Sequence, residues 1–308
     1  MFIERATECG YFPGMLRLMT LICLGLLVGC ASNPPQPTKD SFEPDLMILK
    51  SRVELPMTPV GNHQWQVSAE LGGVRGIFAL DTGSETTVIT PQFAEKIGLL
   101  KTATRGKFGG PNPLHQQVRY AKLNSAWFDG LLFANFYVPI LSLDHLNRAT
   151  HTHLDGILGN NILSKVVCSF DWKKHLLTLD PEPAPKPPNA IPIVSRKRRI
   201  FLNATVNGSP VEFAVDTGAY SSSITENELR RLYIPAAKIS QVKIPRADIA
   251  EISPLQQTQA SLDIFQLGPI SRTNFPILTW HDNVIGMDLL EGGRLILNAN
   301  AGWMSLGE

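Results

Sequence analysis

The sequence predicts an all-β protein of two tandem domains, and three observations support this fold class. The chain has 23 prolines and 24 glycines among 308 residues, which favours many short strands and turns over helical bundles. One segment occurs twice without a gap, as VSAELGGVRGIFALDTGS (67–84) and LNATVNGSPVEFAVDTGA (202–219). A second shared element follows each copy. The repeat therefore has the size of a domain, and each half is expected to fold alike.

Each copy of the first segment predicts a β-hairpin that ends in Asp-Thr-Gly. Gly72-Gly73 and Asn207-Gly208 are two-residue turn signals between alternating apolar residues. The residues after the tripeptide predict a further strand, at SETTVIT (84–90) and AYSSSIT (219–225). Short helices are predicted next, over 91–98 with Gly98 as its C′ residue and over 226–232.

The second shared element is an apolar run that ends in glycine. It reads DGILGNNIL (155–163) in the first half and NVIGMDLL (283–290) in the second, so that Gly159 corresponds to Gly286. A predicted hairpin follows each, at FDWKKHLLTL (170–179) and LNANAGWMSL (297–306). The order of all these elements is the same in both halves, which indicates duplication of a whole domain.

Proline-rich stretches divide the chain. We expect a first domain over 49–180, a stiff proline-rich linker over 181–190 and a second domain over 191–308. Residues 30–48 are expected to be a tether that precedes the first domain, and residues 1–29 a signal peptide.

The N-terminal apolar run, Leu18 to Val28, is too short to span a bilayer but suits the core of a signal peptide. The sequence that ends it, Leu-Val-Gly-Cys30, resembles the bacterial lipobox, which implies lipidation of Cys30. The alternatives are an ordinary signal peptide or a short anchor helix. Because Glu4 and Glu8 are unusual in a signal peptide, Met15 is an alternative start.

The same resemblance implies a place in the bacterial envelope. Residues Ala31 and Ser32 lack the Asp that resembles an inner-membrane retention signal. We therefore expect a lipoprotein of the outer membrane that faces the periplasm, with the inner membrane as the alternative.

Charge and cysteine content exclude several classes. A net charge of +1 gives no global electrostatic case for nucleic-acid binding. Cys168 would be the one free thiol of the mature chain, and its apolar neighbours predict a buried small side chain rather than a nucleophile. No Cys/His metal spacing is present. His151, His153 and Asp155 could form a metal site, but the repeat explains Asp155-Gly156 better. The basic run 196–199 predicts a solvated strand edge.

This combination of motifs resembles the retropepsin-like aspartic proteases and, in its duplicated form, the two-lobed pepsin type. The resemblance extends from about Val53 to Leu306 and rests on both Asp-Thr-Gly loops with their later apolar-apolar-Gly elements. It implies two tandem acid-protease β-barrel domains related by a pseudo-twofold axis. It also implies an aspartic endopeptidase that needs no metal or organic cofactor.

The resemblance makes Asp81 and Asp216 the catalytic dyad. Two carboxyl groups that close cannot both ionise cheaply, so they share a proton and titrate as a pair. The ionised member would take a proton from the attacking water, and the protonated member would hydrogen-bond the scissile carbonyl oxygen. This reasoning does not decide which of the two aspartates is the base.

The neighbouring residues are expected to support the two loops. Gly83 and Gly218 would allow a tight turn and direct amides toward the carboxylates, and Thr82 and Thr217 would lock the loops together. Ser84 is expected to donate a hydrogen bond to Asp81, which Ala219 is unable to do for Asp216. Gly159 and Gly286 belong to the strands that are expected to pass behind the loops.

A glycine-rich stretch, 106–111, is the candidate flap over the substrate, with Phe108, Gly109 and Gly110 at its centre. Residues 243–248 hold the corresponding place in the second half and are more charged. The expected partner is an extended polypeptide that pairs with the flap edges.

Two alternatives remain open from the sequence. The protein is either an endopeptidase or a non-catalytic peptide-binding or scaffolding lipoprotein of the same fold. Two like-charged carboxyls at one point would have no use in a binder, which favours the endopeptidase. The dyad is either intramolecular, in a monomer, or formed between equivalent domains of a homodimer.

Overall fold

The structure is a computed structural model that describes residues 37–61, 64–107, 117–182, 184–244 and 255–307. The expected signal peptide, Cys30 and the first part of the tether lie outside these residues. No helix within the described ranges is long and apolar enough to cross a membrane. Residues 37 to 308 belong to one compact unit, which contains both halves of the repeat.

The first half consists of short strands and three helices. Its strands are β1 (Asp45–Ile48), β2 (Val53–Val60), β3 (Gln64–Leu71), β4 (Val74–Leu80), β5 (Val88–Ile89), β6 (Thr104–Lys107), β7 (Gln117–Phe128), β8 (Leu131–Ile140), β9 (Gly156–Leu158), β10 (Val167–Asp171) and β11 (Leu176–Asp180). Its α-helices are α1 (Pro91–Lys96), α2 (Asp144–Thr150) and α3 (Asn160–Leu163), and 3-10 turns cover Asp40–Phe42 and Leu99–Lys101.

The second half repeats this order of elements without a counterpart of α2. Its strands are β12 (Ile191–Pro192), β13 (Val194–Arg196), β14 (Arg199–Val206), β15 (Ser209–Val215), β16 (Ser223–Ile224), β17 (Ile239–Ile244), β18 (Leu255–Leu267), β19 (Ile270–Thr279), β20 (Val284–Ile285), β21 (Arg294–Asn298) and β22 (Trp303–Gly307). Its helices are α4 (Glu226–Arg231) and α5 (Met287–Leu290), with a 3-10 turn over Ala236–Lys238.

The predicted hairpins are confirmed at both copies of the repeat. Strands β3 and β4 pair through Leu71 and Val74, and Gly72 and Gly73 adopt the positive φ that such a two-residue turn requires. The turn between β14 and β15 has the same geometry at Asn207 and Gly208. A left-handed residue is costly for most side chains, so these turn residues fix the register of both hairpins.

The predicted short helices are also confirmed, and each begins at a capping threonine. Thr90 accepts a hydrogen bond from the amide of Phe93, and Thr225 accepts one from the amide of Glu228. Gly98 follows the end of α1 with a φ of 75° and donates its amide to the carbonyl of Glu95. The threonine caps fix where each helix begins, directly after the strand that precedes it.

The described strands form two sheets, which confirms the all-β prediction. The larger has the order β12-β22-β21-β10-β11-β2-β3-β4-β9-β5-β8-β7-β6, with β1 paired to β8. The smaller has the order β13-β14-β15-β20-β16-β19-β18-β17. In both sheets, the strand that leads to Asp-Thr-Gly lies parallel to the later apolar-Gly strand.

The two halves share one sheet, because β21 and β22 of the second half extend the sheet of the first. Strand β10 pairs with β11 on one edge and with β21 on the other, where Cys168 lies opposite Leu297. Trp172, beyond β10, donates its indole N–H to the carbonyl of Leu290 at 2.9 Å. The second half therefore supplies the partner that β10 lacks within its own half.

The main hydrophobic core includes buried side chains from both halves, among them Phe78, Phe170, Phe213 and Phe265. Cys168 lies fully buried within it and donates its thiol to the carbonyl of Leu163. Burial raises the pKa of this thiol, because the thiolate would lose its hydration. The expectation of a buried cysteine is confirmed.

Candidate active site

Asp81 and Asp216 each stand at the end of a buried strand. The amide of Asp81 donates to the carbonyl of Leu158 on β9 at 3.1 Å, and the amide of Asp216 donates to the carbonyl of Ile285 on β20 at 3.0 Å. These bonds continue the parallel pairing beyond the strands. Both loops therefore begin from a fixed point in the sheet rather than from a free connection.

Gly159 and Gly286 pass directly behind the two loops. A Cβ at Gly159 would lie 2.5 Å from the carbonyl oxygen of Thr86, and one at Gly286 would lie 2.6 Å from the carbonyl carbon of Ser221. Both distances are far below van der Waals contact, so these positions require glycine. The residue after each glycine then donates its amide to the loop: Asn160 to Ser84 and Met287 to Ala219, both at 2.9 Å.

The two threonines join the loops through four hydrogen bonds. The amide of Thr82 donates to the hydroxyl of Thr217 at 3.1 Å, and the amide of Thr217 donates to the hydroxyl of Thr82 at 3.0 Å. Each hydroxyl also donates across to the other half, to Val215 or to Leu80, at 3.0 Å. Both side chains are buried, so water does not compete for these groups.

This arrangement brings the carboxyl groups of Asp81 and Asp216 within hydrogen-bonding distance of each other. Each carboxyl also accepts two amides from its own loop on Oδ1. Asp81 takes those of Gly83 at 2.8 Å and Ser84 at 3.0 Å. Asp216 accepts the amides of Gly218 at 2.8 Å and Ala219 at 3.1 Å.

The two loop glycines donate their amides to the carboxylates of their own loops, as expected, and they also have a second role. Gly83 and Gly218 do not have the positive φ of a tight left-handed turn. Instead, a Cβ at Gly83 would lie 2.2 Å from Asp216 Oδ2, and one at Gly218 would lie 2.6 Å from Asp81 Cγ. Each glycine leaves room for the carboxyl group of the opposite half.

The expectation for the Ser84 hydroxyl is wrong in this structure. Its Oγ donates to the carbonyl of Thr86 at 2.9 Å, and a hydroxyl has only one hydrogen to donate. Ser84 therefore reaches Asp81 through its backbone amide, as Ala219 does for Asp216. The Ser-to-Ala difference leaves the two carboxyls with equivalent loop contacts.

The environment raises the pKa of both carboxyl groups. For Asp81 the largest cause is loss of hydration, followed by the neighbouring charge of Asp216, and its pKa lies well above the ordinary value. For Asp216 loss of hydration is again the largest cause, but the hydrogen bond from Asp81, two loop amides and the charge of Arg199 oppose it. The two carboxyls therefore share a proton rather than ionise independently.

Sequence reasoning missed a second pair of supporting contacts. Asn161 Oδ1 accepts the amide of Thr87 at 2.7 Å and its hydroxyl at 2.9 Å. In the second half the carboxylate of Asp288 accepts the amide of Ser222 at 3.0 Å and its hydroxyl at 2.7 Å. Both acceptors stand two residues after the glycine behind the loop. A comparison of the two halves at this position would have identified both acceptors from the sequence.

The basic run is a solvated edge only in part, because Arg196 and Lys197 are exposed whereas Arg198 and Arg199 are half-buried. Lys197 and Arg198 form the turn between β13 and β14, and the side chain of Arg198 is 20% exposed. Arg198 donates to the carbonyl of Glu85, to the carbonyl of Lys39 and to the carboxylate of Glu43, at 3.0, 3.0 and 3.1 Å. It thus joins the second half to the Asp81 loop and to the segment before β1.

The candidate flap residues Phe108, Gly109 and Gly110 lie outside the described residues, as do 245–254 in the second half. The structure describes the strands on either side of both segments. Strand β6 pairs with β7 up to Lys107 and Gln117, and β17 pairs with β18 up to Ile244 and Leu255. Each half therefore has an antiparallel strand pair at the place where a flap is expected.

The fold and the paired Asp-Thr-Gly loops define an aspartic protease. Residues 67–162 match the family model "Aspartyl protease", and residues 202–292 match the family model "gag-polyprotein putative aspartyl protease". The chain belongs to the retropepsin-like aspartic proteases, with one such domain in each half. The predicted family and fold class are confirmed.

No curated protein matches the chain significantly. Among solved structures, a retropepsin-like aspartic protease from Rickettsia conorii is 18% identical to it. That alignment covers 45% of this chain and 96% of the other, with a TM-score of 0.32.

Proposed function

We propose that this protein is an aspartic endopeptidase in which Asp81 and Asp216 of one chain activate the hydrolytic water. The single observation that carries the proposal is the contact between the two carboxyl groups, each held by its own loop amides. A site of this kind presents one shared proton and one negative charge at the same point. Those are the acid and the base that peptide hydrolysis requires.

The reaction follows from that charge arrangement. The ionised carboxyl takes a proton as the water oxygen bonds to the scissile carbonyl carbon. The protonated carboxyl hydrogen-bonds the carbonyl oxygen, on which negative charge develops. The C–N bond then breaks, and a proton from the dyad passes to the leaving nitrogen. The substrate would be an extended polypeptide between the two halves, with its backbone along the edges of the flap strands.

Hydrogen bonds between the halves support an intramolecular dyad. The four threonine bonds link Thr82 and Thr217 of the same chain, and β10 pairs with β21 in the same sheet. A homodimer with Asp81/Asp81 and Asp216/Asp216 sites would have to break both sets of contacts. The proposal therefore takes the monomer as the active form.

The lipid anchor is part of the proposal and rests on the sequence. The apolar run 18–28 and Cys30 form the lipobox-like segment, and a proline-rich tether follows. We propose that the enzyme is held by Cys30 in the bacterial envelope, at the periplasmic face of the outer membrane. Replacement of Cys30 by Ala should release the protein from the membrane fraction. Retention by membranes after the change would contradict the anchor.

The catalytic proposal is tested with full-length protein in detergent. A mixed peptide library is incubated with the parent, Asp81→Asn and Asp216→Asn from acid to neutral pH, and new termini are identified by mass spectrometry. Both variants should lose at least ~1,000-fold in rate, because each removes half of the acid–base pair. Full activity in either variant would exclude the intramolecular dyad. Peptide binding without cleavage by the parent would support the binding protein instead.

A further inference from the structure

The two halves differ in charge at one corresponding position beside the dyad. Gln64 begins β3 in the first half, and Arg199 begins β14 in the second. Both residues stand at the same distance before their Asp-Thr-Gly in the aligned repeat. One half therefore presents a neutral amide where the other presents a guanidinium.

The contacts of Gln64 show which groups a side chain at this position of the repeat reaches. Its side-chain amide donates to the carbonyl of Gly218 at 2.8 Å, and Gly218 lies against the carboxyl group of Asp81. Arg199 holds the corresponding position in the second half, although its guanidinium bonds Asp282 rather than the Gly83 carbonyl. Phe201 of β14 lies opposite Ala214 of β15, and the same register continued by two residues places Arg199 opposite Asp216. The neutral residue is on the side of Asp81, and the cation is on the side of Asp216.

The charge of Arg199 is only partly compensated. Its side chain is 26% exposed, and among the described residues its ion pair is a 3.3 Å contact with Asp282. Its Nε is buried and has no hydrogen-bond partner among the described residues. In a site of low effective dielectric, such a cation acts over a longer distance than it would in water. The charge of Arg199 opposes the rise in the pKa of Asp216 that burial causes.

We propose that Arg199 sets the polarity of the dyad, so that Asp216 is the base that activates water and Asp81 carries the shared proton. This inference rests on the proposed function. Arg199 is a positioning residue in this scheme, since it acts on the charge of Asp216 and does not touch the reacting atoms. The charged groups that act on Asp216 in the described part of the chain are Asp81 from the opposite loop and Arg199 from β14, with Asp282 behind Arg199.

The proposal predicts shifts of opposite sign for two substitutions. Arg199→Gln gives the second half the residue of the first. It should move the acid limb of the kcat/KM pH profile upward by roughly 0.5–1 pH unit, less than the 1–3 units of a contact pair. Asp282→Asn removes the carboxylate that partly neutralises the charge of Arg199. The acid limb should then move to lower pH.

Two further variants separate charge from structure. Arg199→Lys keeps the cation and should keep the parent profile. Arg196→Gln removes an exposed arginine that lies opposite Arg199 in the β13–β14 hairpin and pairs with Glu212. It should leave the profile unchanged. Thermal melting of each variant reports whether the fold is intact. An acid limb that stays in place in both Arg199→Gln and Asp282→Asn would overturn the proposal.

A second measurement works without any cleavage. The carboxyl carbons of Asp81 and Asp216 are titrated by NMR in full-length protein with ¹³C-labelled aspartate, and the two Asp→Asn variants assign the signals. Asp216 should titrate at lower pH than Asp81, and the difference should shrink in Arg199→Gln. The reverse order would overturn the proposal. Absence of cleavage with this order intact would count against the endopeptidase and leave the polarity standing.

Discussion

Gly83 lies against the carboxyl group of Asp216, and Gly218 lies against that of Asp81. The space that each carboxyl occupies is thus defined by the loop of the opposite half. Neither loop forms a complete site, because its own glycine faces the partner's aspartate. The site exists only where the two loops meet.

Replacing Gly83 by Ala should therefore damage the site directly. The added Cβ would overlap Asp216 Oδ2, so the two carboxyl groups must separate. We expect at least a ~100-fold loss of kcat/KM, because small displacements of catalytic groups cost about this much. Gly292→Ala is the matched control, since nothing lies within 4 Å of a Cβ there. Equal activity of the two variants would contradict the close approach.

The hydrogen bonds of the Thr82 hydroxyl should stabilise the fold more than the volume of the side chain does. Thr82→Val keeps the volume but leaves the carbonyl of Val215 and the amide of Thr217 without their partner. The loss of two buried bonds should lower the free energy of unfolding by about 2–4 kcal/mol in denaturant titrations. Thr82→Ser retains the hydroxyl and should lose less than about 1.5 kcal/mol. A valine variant as stable as the serine variant would show that these bonds do not join the halves.

Asp81→Asn should stabilise the protein at neutral pH while it removes activity. The pKa of Asp81 is raised on folding, so its contribution to stability is present below the unfolded pKa and is lost as pH rises through the folded value. Asparagine does not ionise, so the free energy needed to keep this buried carboxyl protonated at neutral pH disappears. The melting temperature should rise by a few degrees at pH 7 but not at pH 3. A variant that melts below the parent at pH 7 would argue against the raised pKa.

Asp288 should tolerate asparagine but not alanine. It accepts the amide and hydroxyl of Ser222, and the first half does the same task with Asn161. Asp288→Asn keeps an acceptor oxygen and should cost less than about 1 kcal/mol. Asp288→Ala leaves buried donors unpaired and should cost about 2–4 kcal/mol in the free energy of unfolding. Similar losses in both variants would mean that the negative charge, rather than the acceptor, is required.

Arg198 should contribute to both stability and activity although it lies outside the dyad. It joins the second half to Glu85, four residues after Asp81, and to Glu43 before β1. Arg198→Ala should lower the melting temperature by several degrees and reduce kcat/KM. Lys197→Ala is the control, because Lys197 is the other turn residue and also has positive φ. If both variants melt alike, the loss reflects the turn and not the contacts of Arg198.

The sequence was sufficient for the fold class, the hairpins and the pairing of the two loops, because the repeat itself carries that information. Gly72-Gly73 and Asn207-Gly208 specify turns by local backbone preference alone. Asp-Thr-Gly and the later Gly159 or Gly286 recur in the same order. These signals are local or come from comparing the halves, and the folded contacts agree with them.

The contacts that escaped prediction depend on side-chain direction between distant residues. Whether Ser84 donates to Asp81 or to Thr86 is decided by a hydroxyl rotation that the sequence does not encode. Arg198 appears in the sequence as one charge in a basic run, and only the turn before β14 directs it to Glu85. The close approach of Gly83 to the Asp216 carboxyl depends on the opposite half, so reasoning from its own loop predicted its turn and its amide bond but not this contact.

The pairing of β10 with β21 has a consequence for how this protein is made. Strand β10 emerges from the ribosome with one edge open, and its partner is synthesised only after the whole second Asp-Thr-Gly segment. The first half therefore remains incomplete during translation, even though all of its own residues are present. The pairing of the two Asp-Thr-Gly loops likewise needs the second half, so neither the completed sheet nor the paired carboxyls can form before that half is made.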